Sequence, residues 1–225
     1  LLCAWNFADE ITKILRKDYG FTGKCIVPLP NDPEIKGDGI VVKENGINGV
    51  FEIELDPKND ERGFFMRTYD EETFRKYDLN KNWVQENHSH SKEKNIVRGL
   101  HFQLPPYAEG KLIRVVSGEI FLVYVDLREG SKTFGKWEST IVSADNKKML
   151  YVPRGFGMGM CTLSENCTLL YKMDNVYSPD HQCSIKCDDP DLGIEWPVKE
   201  AIVSERDSKA MSFKEFVEKH KSLRL

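Results

Sequence analysis

Hydrophobic and polar positions change rhythm once along the chain. Over residues 6–19, NFADEITKILRKDY, the apolar residues Phe7, Ile11, Ile14 and Leu15 recur at helical spacing and the run stops at Gly20, which predicts an amphipathic helix. The next stretch, GFTGKCIVPLPNDPEIKGDG, is broken by Gly, Pro and Asp and reads as a linker or irregular surface segment. From about Gly39 the pattern turns to short β-type runs: GVFEIEL, NWVQEN, NIVRGLHF, KLIRVVSGEIFLVYVDL, KWESTIV, KMLYVP and CTLLYKM. Turn-rich stretches such as DPKNDERG, REGSKTFG and SPDHQ separate them. Strands at this spacing predict an all-β sandwich or barrel with a few short peripheral helices. Residues 1–38 are thus expected to be an N-terminal extension, a dimer arm or the tail of a fused partner, and 39–225 the main domain.

Within that frame GEIFLVYVDLR is apolar at nearly every position, as a strand covered on both faces would be, and burial of one sheet face in a dimer is the expected cover. Short helices are predicted after Asp70, in DEETFRKY with Asp70 as N-cap, and after Ser212, where Ser212 and Glu215 form an S-x-x-E capping box and Phe213, Phe216 and Val217 supply the apolar stripe.

Composition narrows the function classes. The 225 residues carry 40% hydrophobic and 30% charged side chains with a net charge of −4, so the chain can bury a sizeable core and lacks the basic field that holds nucleic acid. No apolar run reaches the roughly 18–20 residues needed to cross a bilayer. Six scattered cysteines at 3, 25, 161, 167, 183 and 187 read as reduced thiols of a cytoplasmic protein. Cys183 and Cys187 have no second close pair of Cys or His to complete a tetrahedral metal site.

Candidate chemistry gathers in RGLHFQLPPYAEGK, 98–111. On a strand, His101 points opposite to Leu100 and Phe102, so if they face outward it faces the interior. Arg98 and Lys111 are cations that would be hard to bury without an anion to meet them, such as a phosphate or an enolate. Arg62, in DERGFF, is a third positive candidate, and Gln85 and Asn87 alternate along one strand face as neutral hydrogen-bonding groups. The turn PRGFGMGM, 153–160, places Met158 where cupin proteins carry a metal-binding histidine, and His101 is followed by Phe102 and Gln103 rather than by further ligands. A metal-free site is therefore expected. HSH at 88–90 reads as a solvated turn.

In order along the chain, DERGFF (60–65), VQENHS (84–89), RGLHFQLPPYAEGKLIRVVSGEIF (98–121), VDLREGSKTFGKW (125–137), the P-x-G turn at 153, YKMDNVY (171–177), DDPDLGIEWP (188–197) and SERD (204–207) resemble the dTDP-4-dehydrorhamnose 3,5-epimerases, a cupin family of sugar-nucleotide epimerases. The resemblance runs from about Gly49 to Asp207. It implies a homodimeric jelly-roll β-barrel that binds a nucleotide-linked 4-keto-6-deoxy sugar and epimerises C3, C5 or both, with no cofactor. By the same resemblance His101 is the base held by Asp207, Lys111 stabilises the enolate oxygen, Tyr171 returns the proton and Tyr177 lines the sugar and base pocket. Arg62, reaching in from the other subunit, Arg98, Gln85 and Asn87 would hold the diphosphate and sugar. Three positions depart from the family pattern: Met158 stands for the histidine of GFAHGF, Leu122 for an aspartate and Arg67 for a glutamate. These departures point to an altered substrate or a reduced set of epimerised carbons. A different nucleotide, a sugar such as a 6-deoxyheptose, and a barrel that binds without turnover are the alternatives. The complete acid–base set weighs against the last.

Overall fold

The computed structural model describes residues 40–79 and 81–225, together with Lys17. The helix predicted over 6–19 and the linker after it lie outside the described residues. Residues 40–225 form one compact unit.

Two antiparallel sheets pack face to face. The first runs in the order β1 (Ile40–Glu44), β2 (Phe51–Leu55), β10 (Lys148–Val152), β7 (Lys111–Ser117), β12 (Cys167–Met173), β5 (Gln85–Ser91). The second runs β13 (Gln182–Ser184), β6 (Ile96–Gln103), β11 (Phe156–Thr162), β8 (Glu119–Asp126), β9 (Trp137–Ser143), with the short β14 (Ile202–Val203) parallel to β6. A separate hairpin joins β3 (Lys58–Asp60) to β4 (Gly63–Phe65). The result is an open jelly roll of two sheets rather than a closed barrel. Its helices are α1 (Glu71–Lys76), α2 (Glu205–Ser208) and α3 (Phe213–His220).

Alternation of side chains builds the core between the sheets. Ile113 and Val115 of β7, Leu150 and Val152 of β10 and Leu169 of β12 meet Leu122 and Tyr124 of β8 and Met158 and Met160 of β11. Both predicted N-caps are present: Asp70 accepts from the Thr73 N–H, and Ser212 and Glu215 make the reciprocal capping box. Gly118, at φ +78°, breaks the long apolar run into β7 and β8.

Three expectations change here. The outer face of β8 is covered within the chain rather than by a dimer partner. Leu100, Phe102, Val123, Val125 and Leu127 pack under Ile185, Leu192, Phe216 of α3 and Leu223, with the Phe102 and Phe216 rings edge-on at 5.5 Å. HSH is strand, not turn, because β5 runs through it as an edge with His88 and His90 on its exposed side. PRGFGMGM, read as a P-x-G turn leading to Met158, runs into the fully buried strand β11, FGMGMCT. VDLREGSKTFG proves structural: Asp126 has no exposed surface, and although burial opposes its charge, hydrogen bonds from Arg128, Ser131 and Thr133 hold its carboxyl at about 2.

Candidate active site

The site lies between the sheets, where β6 and β11 face β7, β12 and β5. On β6, Leu100 and Phe102 pack outward, which turns His101 inward as the alternation predicts. His101 pairs in register with Met158, and Met158 in turn with Tyr124. Gly99 makes this approach of β6 to β11 possible, since a Cβ there would stand 2.5 Å from the Met158 carbonyl oxygen and φ is +117°.

Asp207 reaches the site from the far end of the domain. In SERD the Ser204 hydroxyl accepts the Asp207 N–H at 3.1 Å, which caps α2 and leaves the Asp207 carboxylate turned inward and buried. One oxygen lies 2.7 Å from His101 Nε2 and the other accepts the Gly99 N–H at 3.4 Å. A carboxylate can only accept, so Nε2 donates to it and the other ring nitrogen, Nδ1, is left as the proton acceptor. Burial pushes the His101 imidazole below its ordinary range. Asp207 pulls the other way, and the positive charges of Lys111 and Arg206 add to the lowering. The ring is therefore neutral, the form a base requires.

Facing it on the first sheet, Lys111 lies on the inward side of β7 with Ile113 and Val115, and Tyr171 packs against the inter-sheet core from β12. Burial raises the Tyr171 phenol. The charge of Arg98 lowers it and that of Glu109 raises it further, so the hydroxyl keeps its proton. Lys111 is nearly buried and has an anion within its own chain, Glu109, at 3.0 Å.

The remaining expected residues are held more loosely. The Gln85 and Asn87 amides both donate to Met173 Sδ, at 3.0 and 3.3 Å, so they share the inward face with Tyr171. The Tyr177 N–H donates to Gln85 Oε1 at 3.0 Å and its hydroxyl to Gln182 at 2.7 Å, while the ring stays exposed. Arg98, expected to be hard to bury, is exposed and donates to Ser91 at 3.3 Å. Arg62 sits at the tip of the β3–β4 hairpin with its guanidinium on Asp60. Met158 and Leu122 are buried in the inter-sheet core, so the two departures replace polar groups by apolar ones where His101 faces inward. Arg67 binds Asp70 at 3.1 Å beside the α1 N-cap. Among the described residues no group of three His, Cys, Asp or Glu side chains is placed to hold a metal ion. Sequence reasoning missed Glu109 and Gln103, two buried polar residues beside the site, and the only signal in AEGK was the short spacing of the carboxylate from Lys111.

A neutral imidazole oriented by a carboxylate, with an ammonium and a protonated phenol on the facing sheet, can take a proton from one side and return it from the other, the chemistry of an epimerising isomerase. The family model for dTDP-4-dehydrorhamnose 3,5-epimerase matches residues 44–215, and the chain belongs to this family. It is 45% identical over 162 residues to the dTDP-4-dehydrorhamnose 3,5-epimerase of Shigella flexneri, covering 71% of this chain and 89% of that one. The structure of the Bacillus anthracis dTDP-4-dehydrorhamnose 3,5-epimerase with TDP and PPi bound matches with a TM-score of 0.75 at 39% identity, over 77% of this chain and 99% of that one. ChmJ, a 3′-monoepimerase from Streptomyces bikiniensis in complex with dTDP-quinovose, matches with a TM-score of 0.73 at 31% identity, over 80% and 90% of the two chains.

Proposed function

We propose that the protein epimerises a dTDP-linked 4-keto-6-deoxy sugar through an enolate, with His101 as base and Tyr171 as acid. The ketone acidifies the hydrogens on C3 and C5. His101 Nδ1 takes one of them, the Lys111 ammonium stabilises the oxygen as negative charge develops, and the Tyr171 hydroxyl returns a proton to the opposite face. Solvent then reloads the phenol and unloads the imidazole. The observation that carries this reading is the 2.7 Å His101–Asp207 contact, made by a buried carboxylate to a half-buried ring that faces the inter-sheet space.

Arg98, Gln85, Asn87 and Tyr177 serve the diphosphate, sugar and base. Arg62, on a hairpin whose Phe64 and Phe65 are exposed, serves a neighbouring subunit of a homodimer. The four described cysteines are unpaired thiols, which supports a cytoplasmic location.

Incubation in heavy water with dTDP-4-keto-6-deoxy sugars tests the proposal. Deuterium is expected at C3, C5 or both, and tight dTDP binding with no exchange on any substrate would remove the enzymatic reading. Met158 and Leu122 favour a narrower form of it. With apolar side chains where the family pattern has histidine and aspartate, the ring is held through fewer polar contacts, and exchange is confined to one of the two carbons.

A further inference from the structure

Lys111 has its own anion, and that anion is anchored. The Glu109 carboxylate is 3% exposed, with Oε1 3.0 Å from Lys111 Nζ and Oε2 accepting the backbone N–H of Gln103 at 3.1 Å. The buried Gln103 amide in turn donates to the carbonyls of Tyr107 (2.8 Å) and Val176 (3.1 Å) and accepts the Ser178 N–H at 2.6 Å. Every polar end of Glu109 and Gln103 is thus engaged, and the chain of bonds runs from Lys111 through both loops that border the cleft, 104–110 and 174–178. On the far side, Gly110 is fixed by its N–H to Asp174 Oδ1 at 2.7 Å.

A lysine side chain is a point charge on a flexible stem, and its value to a transition state depends on where the charge rests. We infer that Glu109, braced by Gln103, is the positioning residue of Lys111, fixing its ammonium at the place where the enolate oxygen develops. Glu109 touches no substrate in this scheme and acts only through Lys111, so the inference rests on the role proposed above for that lysine. An amide at 109 offers one oxygen for two donors, and either Lys111 or the Gln103 N–H then loses its acceptor.

A double-mutant cycle read by deuterium exchange separates the possibilities. It uses the intact chain, the dTDP-linked 4-keto-6-deoxy sugar on which the wild type exchanges, and dTDP affinity as the measure of an intact site. Glu109→Gln is expected to lower kcat about 100-fold, the cost of misplacing a group by about 1 Å, with KM and the dTDP Kd within about twofold, consistent with lost transition-state stabilisation alone. In a Lys111→Met background the same change is expected to cost nothing further. Glu109→Asp, which keeps the charge and shortens the reach, is expected to fall between, and it replaces Glu109→Gln in the cycle if the latter loses dTDP binding. Equal losses in both backgrounds, or no loss from Glu109→Gln alone, would overturn the inference while leaving the lysine's role intact. A Lys111→Met enzyme with unchanged kcat would overturn that role and the inference together.

Discussion

The two ends of the proposed site are built on opposite plans. At the proposed sugar end the charged groups are matched within the chain and largely withdrawn from water, His101 by Asp207 and Lys111 by Glu109, while Tyr171 packs against the inter-sheet core. At the proposed phosphate end Arg98 and Tyr177 stand in solvent with a serine hydroxyl and a glutamine as partners, and Arg62, proposed to serve a neighbouring subunit, is exposed beside its hairpin aspartate. Desolvated pairs hold geometry before substrate arrives. Exposed cations cost little to leave unpaired and suit an anion that comes and goes. Changes at the first end should therefore strike kcat and changes at the second KM.

The sharpest break of that contrast is His101→Ala. Loss of the general base is expected to cut exchange by about 10³-fold, within the usual range for such groups, with dTDP binding nearly intact by calorimetry. Retained exchange would show that another group takes the proton.

Asp207→Asn follows, with about a 100-fold loss as the ring loses its orientation. Its pH profile says more than its rate. Because burial holds the imidazole below its ordinary value of about 6.5, the base stays unprotonated at neutral pH and exchange is lost only as pH falls through the lowered value. Asp207 works against that lowering, so its removal should carry the acid limb of kcat/KM to still lower pH. An acid limb above 6.5 in the wild type, or an upward move in the variant, would contradict this account.

Arg98→Ala should have the smallest effect. The loss of one charge-assisted contact to phosphate, about 1.5–3 kcal/mol, predicts a KM roughly 10- to 100-fold higher with kcat little changed in steady-state kinetics. A fall in kcat instead would place Arg98 among the groups that act on the sugar, in keeping with its influence on Tyr171.

Strands with β-branched, alternating residues were legible from the sequence, and so were both helix caps, because these depend on neighbours a few residues apart. What was illegible depends on distant packing. Nothing in FGMGMCT favours a strand locally. It becomes one because Gly157 and Gly159 let β11 fit between β6 and β8. The polar HSH looks like a turn until Leu169 and Tyr171 of the neighbouring strand fix its register. The cover of β8 could not be read at all, since α3 lies some ninety positions downstream and its stripe has no visible address. His101 and Lys111 stood out as awkward residues on an apolar stretch. Asp207 was reachable only through resemblance to a family, and Glu109 drew no reading, because its burial depends on the Gln103 backbone and Lys111 closing around it.

The 106 positions between His101 and Asp207 set an order of events during synthesis. A ribosome that has passed β12 has already delivered His101, Lys111 and Tyr171, but the proposed set is not complete until SERD emerges and α2 docks. A chain cut before residue 204 would carry the imidazole without the group that orients it. Under the proposed roles, full exchange therefore reports that translation and folding have passed residue 207, and fragments released before it should be at least as impaired as Asp207→Asn.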